Sequence, residues 1–194
     1  LCLVDRLKRK EESALQELMN EYGDYLIRTA YLLLKDHQTA EEAVQDTFIT
    51  AFDKIEQLDE ADKLKSWLTT IVLNRCRSQM RKWSWKNIFL NFDTVERIKE
   101  DEGAPSPEEE LMDLVWNQNL SHAIQKLDYK YREVITLFYF NELKIPEIAS
   151  YTNSKGNTVK SRLKRGRLLL KELLMEGEEG FNEREEKIQK SARS

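Results

Sequence analysis

The chain has 194 residues, 40% of them hydrophobic and 34% charged, with a formal net charge of −4. That length holds one medium domain or two small ones with real cores. A mean hydropathy of −0.66, with no apolar run near the roughly 20 residues of a membrane span, excludes membrane insertion. Two Cys and two His fit no metal-ligand spacing, so no metal and no cofactor are expected. Free thiols, and an apolar stretch in Leu1-Cys-Leu-Val-Asp-Arg-Leu-Lys-Arg-Lys10 too short for a signal peptide, point to the cytoplasm.

Only six Gly and three Pro interrupt a sequence rich in Glu, Lys, Leu and Ala, which favours an all-α fold. A first helical block is predicted from about Leu3 to Trp83. Within it, Thr39-Ala-Glu-Glu42 has the form of a capping box that opens a helix. Val44, Phe48, Ala51, Phe52 and Ile55 then recur at helical spacing as its buried side. Glu41, Glu42, Gln45 and Asp46 are left over, either as a solvated face or as a docking surface. Gln57 to Lys65 breaks the pattern and reads as a loop. From Ser66 to Trp83 another helix is expected, with Leu68, Ile71, Val72, Cys76 and Met80 apolar. Its polar side carries Asn74, Arg77, Ser78 and Arg81, while Trp67 reads as a core residue. From Lys65 to Lys86 there are six basic residues and no acid.

Trp83 to Glu110 has no sustained pattern and contains Gly103-Ala-Pro-Ser-Pro107, so it marks a domain boundary. Asp93 to Asp113 holds nine acids against Arg97 and Lys99, which makes the connection acidic. Ser106-Pro107-Glu-Glu109 signals a helix start. Helices are expected at Glu108 to Leu127, Lys130 to Phe140, Pro146 to Thr152 and Asn157 to Met175. The tail from Glu176 to Ser194 is poor in apolar residues and is expected to fray.

The last two of those helices carry the clearest functional signal. Val159, Leu163, Gly166 and Leu170 fall on one stripe, leaving Lys160, Ser161, Lys164, Arg165, Arg167 and Lys171 on the other side. From Lys155 to Lys171 there are seven Lys or Arg and no acid. Ala149 is small where two helices approach, and Asn153 can take the left-handed conformation that a turn needs. A helix packed on one side and cationic on the other, after a tight turn, suits entry into the major groove. DNA binding follows. The residues alone leave open a dimeric helix-turn-helix regulator, or an adaptor that binds only protein.

Taken together, these segments resemble the extracytoplasmic-function sigma factors of bacterial RNA polymerase. Thr39 to Phe52 is similar to the family's core-binding helix, and Lys65-Ser-Trp-Leu-Thr-Thr-Ile-Val-Leu-Asn74 to the start of its −10 reading helix. Leu127 to Phe140 resembles the opening of its sigma-4 domain. Glu147-Ile-Ala149 and Asn157 to Arg167 resemble its −35 element. Many relatives have Asp where this chain has Ser78.

The resemblance implies a sigma-2 domain over residues 1–84, a flexible acidic linker over 85–107, a sigma-4 domain over 108–175 and a charged tail over 176–194. It implies core polymerase binding through Glu42, Gln45, Asp46 and Phe48, and −10 contacts through Asn74, Arg77, Ser78 and Arg81. Contacts to the −35 element fall to Thr158, Lys160, Ser161, Arg162 and Arg165. The expected partners are core RNA polymerase and promoter DNA, with a membrane-bound anti-sigma factor as a candidate third. No small-molecule substrate is expected, and no reaction is catalysed by the chain itself. An envelope or environmental stress response is the implied setting.

Overall fold

The computed structural model describes residues 2–90 and 118–191, with side chains for 2–82 and 119–175. Among the described residues there are helices and no strands. The chain divides into two compact units, Leu1–Ala104 and Pro105–Ser194, each with its own core.

In the first unit α1 (Leu3–Lys8), α2 (Glu12–Leu34), α3 (His37–Lys54) and α4 (Leu64–Leu90) follow one another, with 3-10 turns at Ile55–Gln57 and Ala61–Lys63 before α4. Helices α2, α3 and α4 each pack on the other two, and α1 lies on α2. Leu18, Leu26, Leu33, Ala40, Ala51, Ile55, Leu68, Val72 and Cys76 close the core. Burial pushes the Cys76 thiol up to about 12, so it stays neutral. Arg6 ties α1 down through Glu11 at 3.1 Å and Glu17 at 2.6 Å.

Helix α3 does not open at the expected capping box. Asp36 is its cap, with extended dihedrals, and its carboxylate accepts from the Thr39 backbone N–H at 2.7 Å and from the Thr39 hydroxyl. Thr39 therefore already lies inside the first turn, as a donor; an N-cap must have non-helical backbone. Phe52, expected in the core, is half-buried. The Lys10 ammonium lies over its ring, 4.7 Å from the centroid. Helix α4 begins two residues before Ser66, whose hydroxyl donates back to the Lys63 carbonyl at 2.9 Å and so does not cap. It also runs past Trp83 to Leu90, because Trp83 to Leu90 contains no Gly or Pro to interrupt the ladder.

The second unit holds α5 (Gln118–Lys126), α6 (Tyr129–Ile135), α7 (Ile145–Tyr151) and α8 (Gly156–Ser191), with a π-helical turn at Thr136–Phe140 continuing α6. The expected start at Ser106-Pro107 lies outside the described residues. Helix α8 packs on α5, α6 and α7. It continues to Ser191 through the segment expected to fray: Glu176 to Ser191 is rich in strong helix formers and has no Pro, so propensity extends what packing starts.

Gly166 marks the closest approach of α8 to α6. A Cβ there would lie 3.1 Å from Ile135 Cγ1 and 3.5 Å from Tyr131 Cβ, and Ile135 is itself buried. At Gly156 the nearest atom is Ile145 Cγ2 at 3.9 Å. Gly156→Ala should therefore stabilise by about 0.4–1 kcal/mol by restricting the unfolded chain. Gly166→Ala gains about 1 kcal/mol of helix propensity but overpacks at a cost of about 1–3 kcal/mol, so a net loss is expected. Opposite shifts of the thermal unfolding midpoint are the outcome to look for; a rise at both would mean that α8 can lift off Ile135 freely.

Candidate functional site

Helix α7 starts on a capping box in which the Lys144 backbone N–H donates to Glu147 Oε2 at 2.7 Å, with Pro146 in the first turn. It ends at Asn153, whose φ of 48° is left-handed. The Ser154 N–H donates to the Ala149 carbonyl at 2.9 Å and the Asn153 N–H to that of Ser150 at 3.3 Å. This is a Schellman ending with Asn in the place that glycine most often fills. The turn releases the chain straight into α8, where Val159, Leu163 and Gly166 are buried and Leu170 is half-buried. Lys160, Ser161, Lys164, Arg165, Arg167 and Lys171 are all exposed.

At about 100° per residue, those outward groups form two strips. Thr158, Ser161, Arg162 and Arg165 lie on one. Lys160 lies about 140° from Arg165, on a second strip with Lys164, Arg167 and Lys171. The five residues expected to read DNA thus divide into a four-residue strip and a Lys on a cationic flank. Arg162 is half-buried and leans back on the turn, with Nη1 3.4 Å from Ser154 Oγ. Arg165 stands free in solvent.

The segment Leu127 to Phe140 supports this element from beneath. Arg132 is only 4% exposed. Its Nη1 donates to the carbonyls of Leu127 at 2.8 Å and Gln125 at 3.3 Å, which satisfies the end of α5. Desolvation pulls its pKa below the ordinary arginine value, against the opposing pull of Tyr129, Asp128 and Glu133. Its guanidinium satisfies buried carbonyls.

In the first unit Asn74 and Arg81 are exposed on α4, with Arg77 and Ser78 half-buried beside them. Trp67, expected in the core, is half-buried. Arg75, which periodicity left unassigned, is half-buried and donates from Nη2 to Thr50 Oγ1 on α3 at 2.7 Å. On α3 the expected docking residues separate. Glu42, Gln45 and Asp46 are exposed, but Phe48 is 5% exposed and belongs to the core, because it falls on the stripe of Val44, Ala51 and Ile55. Ile49 is the apolar side chain that faces out, at 55% exposure. The sequence held the signal for it, since Ile49 lies about 140° from Val44 on the helix.

Among the described residues no group of His, Cys, Asp and Glu could hold a metal ion, and no helix is long and apolar enough to cross a membrane.

Sigma-70 region 2 matches residues 18–86 and sigma-70 region 4 matches residues 117–170, which take in the polar face of α4 and the α7-turn-α8 element as far as Leu170 respectively. The ECF RNA polymerase sigma factor SigW of Bacillus subtilis is 28% identical over 179 residues, covering 88% of this chain and 94% of that protein. This chain belongs to the extracytoplasmic-function group of RNA polymerase sigma factors. The sigma factor NccH of Alcaligenes xylosoxydans is 26% identical over 173 residues, covering 89% of this chain and 93% of its own. The solved sigma factor RpoE of Bartonella quintana, in complex with the anti-sigma factor NepR, matches with a TM-score of 0.58 at 28% identity, covering 82% of this chain and 98% of that one. As a sigma factor the chain binds core RNA polymerase and promoter DNA and directs transcription initiation.

Arg132 gives a test of how the region 4 unit is built. Arg132→Met keeps much of the volume but strips donors from two carbonyls at the end of α5. Equilibrium denaturation of the full chain should show a loss of about 1–3 kcal/mol in this unit, the cost of leaving a buried polar group unsatisfied. Unchanged stability would mean that water reaches those carbonyls.

Proposed function

We propose that the two DNA-reading faces and the polymerase-docking face of this sigma factor are the ones its helices leave outside their cores. Core polymerase would dock on α3 through Glu42, Gln45 and Asp46, with Ile49 in place of Phe48 as the apolar anchor. The −10 strand would meet Asn74, Arg77, Ser78 and Arg81 on α4. The −35 duplex would be read by Thr158, Ser161, Arg162 and Arg165, with Lys160 and its neighbours on the phosphates. Residues 1–84 and 108–175 would act as the sigma-2 and sigma-4 domains, with 85–107 as the acidic tether and 176–194 as a charged extension. In this reading the chain catalyses nothing itself, works in the cytoplasm and serves a stress response. An anti-sigma factor would hold it silent, as NepR is bound to RpoE of Bartonella quintana.

One observation carries this reading: each segment matched to the family contains a helix buried on one side and bearing polar and cationic groups on the other. Asn offers a donor and an acceptor suited to a base edge, and Arg suits phosphate or guanine.

Initiation assays with core polymerase test the −35 assignment. Arg165→Ala should reduce transcription from a −35-dependent promoter by about 1–3 kcal/mol of discrimination at one base pair. Lys160→Ala should instead weaken all sequences alike and lower the salt slope by about one. If both leave −35-dependent transcription untouched, α8 is not the reading helix.

Docking is tested by Asp46→Lys and Ile49→Ala, measured as affinity for core enzyme. Both positions are exposed, so folding should change by no more than about 0.5 kcal/mol. Loss of affinity without loss of helicity is expected for each. Wild-type affinity in both variants would remove α3 from the interface.

A further inference from the structure

Arg75 sits next to Asn74 but points elsewhere. One residue turns a helix by about 100°, so while Asn74 faces solvent, Arg75 turns toward α3. Its Nη2 donates to Thr50 Oγ1 at 2.7 Å, and the Thr50 hydroxyl donates in turn to the Asp46 carbonyl at 2.7 Å. The hydroxyl has one proton and spare lone pairs, and this arrangement uses the proton and one of those lone pairs. Both side chains are half-buried. Among the described residues Arg75 makes no ion pair, although Asp46 and Asp53 are exposed on the same helix as Thr50. A guanidinium that serves a neutral hydroxyl at a helix seam is placed for direction more than for charge.

Direction matters at this seam. Apolar contacts between α3 and α4 decide which side of each helix is buried but are non-directional, so they set the fine angle of roll less sharply than a directional bond does. A charge-assisted hydrogen bond from a planar fork fixes it. The link runs from Asp46, on the face assigned to core polymerase, through Thr50 to Arg75, the immediate neighbour of Asn74.

We infer that Thr50 and Arg75 are positioning residues that set the roll of α4 against α3, so that docking of α3 on core polymerase presents Asn74 to the displaced promoter strand. This rests on the proposed docking and −10 faces. Neither residue need touch polymerase or DNA.

The experiment uses the full chain with core polymerase on a duplex promoter, reading core affinity and permanganate reactivity of thymines in the −10 region. Thr50→Val and Arg75→Met should each leave core affinity within about twofold and lower open-complex formation by about tenfold, as expected for a lost hydrogen bond to a charged group. The double variant should be no worse than the worse single one, because both remove the same link, and Thr50→Ser should restore melting. Thr50→Ala replaces Thr50→Val if the latter fails to fold. Wild-type melting by the Thr50 variant overturns the inference. So do losses that multiply in the double variant, since Arg75 would then be acting on DNA by itself. Asn74→Ala run alongside separates the two levels. Impaired melting there with normal melting in Thr50→Val removes only the link, whereas a silent Asn74→Ala removes Asn74 from the −10 face and the link with it.

Discussion

The burial of one side of α3 against both α2 and α4 is the constraint on which the first unit depends. With Ala40, Ala43, Val44, Thr47, Phe48 and Ala51 all inside, the register of α3 is fixed, and so is the set of residues it can show to a partner. Small residues at Ala40, Ala43 and Ala51 let the neighbouring helices come close, while Phe48 fills the space they leave. The outward side of α3 is therefore a narrow acidic stripe with Ile49 at its centre. The same logic governs α8, where the close approach at Gly166 fixes which residues face away from the core.

Turn chemistry in this chain is unusual in its choice of residue. Among the described residues four non-glycine residues adopt left-handed φ, at Lys10, Lys35, Glu142 and Asn153, and no glycine does. Lys10 closes α1 with the same pair of bonds that Asn153 uses for α7: Glu11 N–H to the Arg6 carbonyl at 3.2 Å and Lys10 N–H to that of Leu7 at 2.9 Å. A side chain in this region carries a steric penalty of roughly 1–2 kcal/mol that glycine avoids. At Lys10 the side chain gives something in return, since its ammonium donates to the Phe52 carbonyl and lies over the Phe52 ring, which pins α1 to the end of α3.

How much of this was legible in the sequence depends on the kind of signal. Periodicity gave the buried stripes of α3, α4 and α8, and turn propensity gave Asn153, because both depend on residues a few positions apart. The cap of α3 was misplaced by three residues, since Asp36 and Thr39 are both good cap residues and only backbone dihedrals separate them. Phe48 was assigned to a partner by resemblance although its own spacing placed it in the core. Arg132 and Arg75 were not legible at all. One serves carbonyls of the preceding helix and the other a hydroxyl 25 residues away, and no local pattern encodes such pairings. The helical course of Glu176 to Ser191 was not legible because lack of apolar residues argues against packing, which is a different matter from helix formation.

The two cysteines make a natural gauge. Cys2 is exposed and Cys76 is buried in the centre of the first unit. A thiol reagent meets Cys2 at once, but reaches Cys76 only when α4 parts from its neighbours, since thiolate is the reactive form and burial suppresses it. The ratio of labelling at the two positions thus reports the opening of the first unit against an internal standard. Because Cys76 lies two residues from Asn74 on the same helix, that ratio would track whether capture by a partner tightens or loosens the helix assigned to the −10 strand.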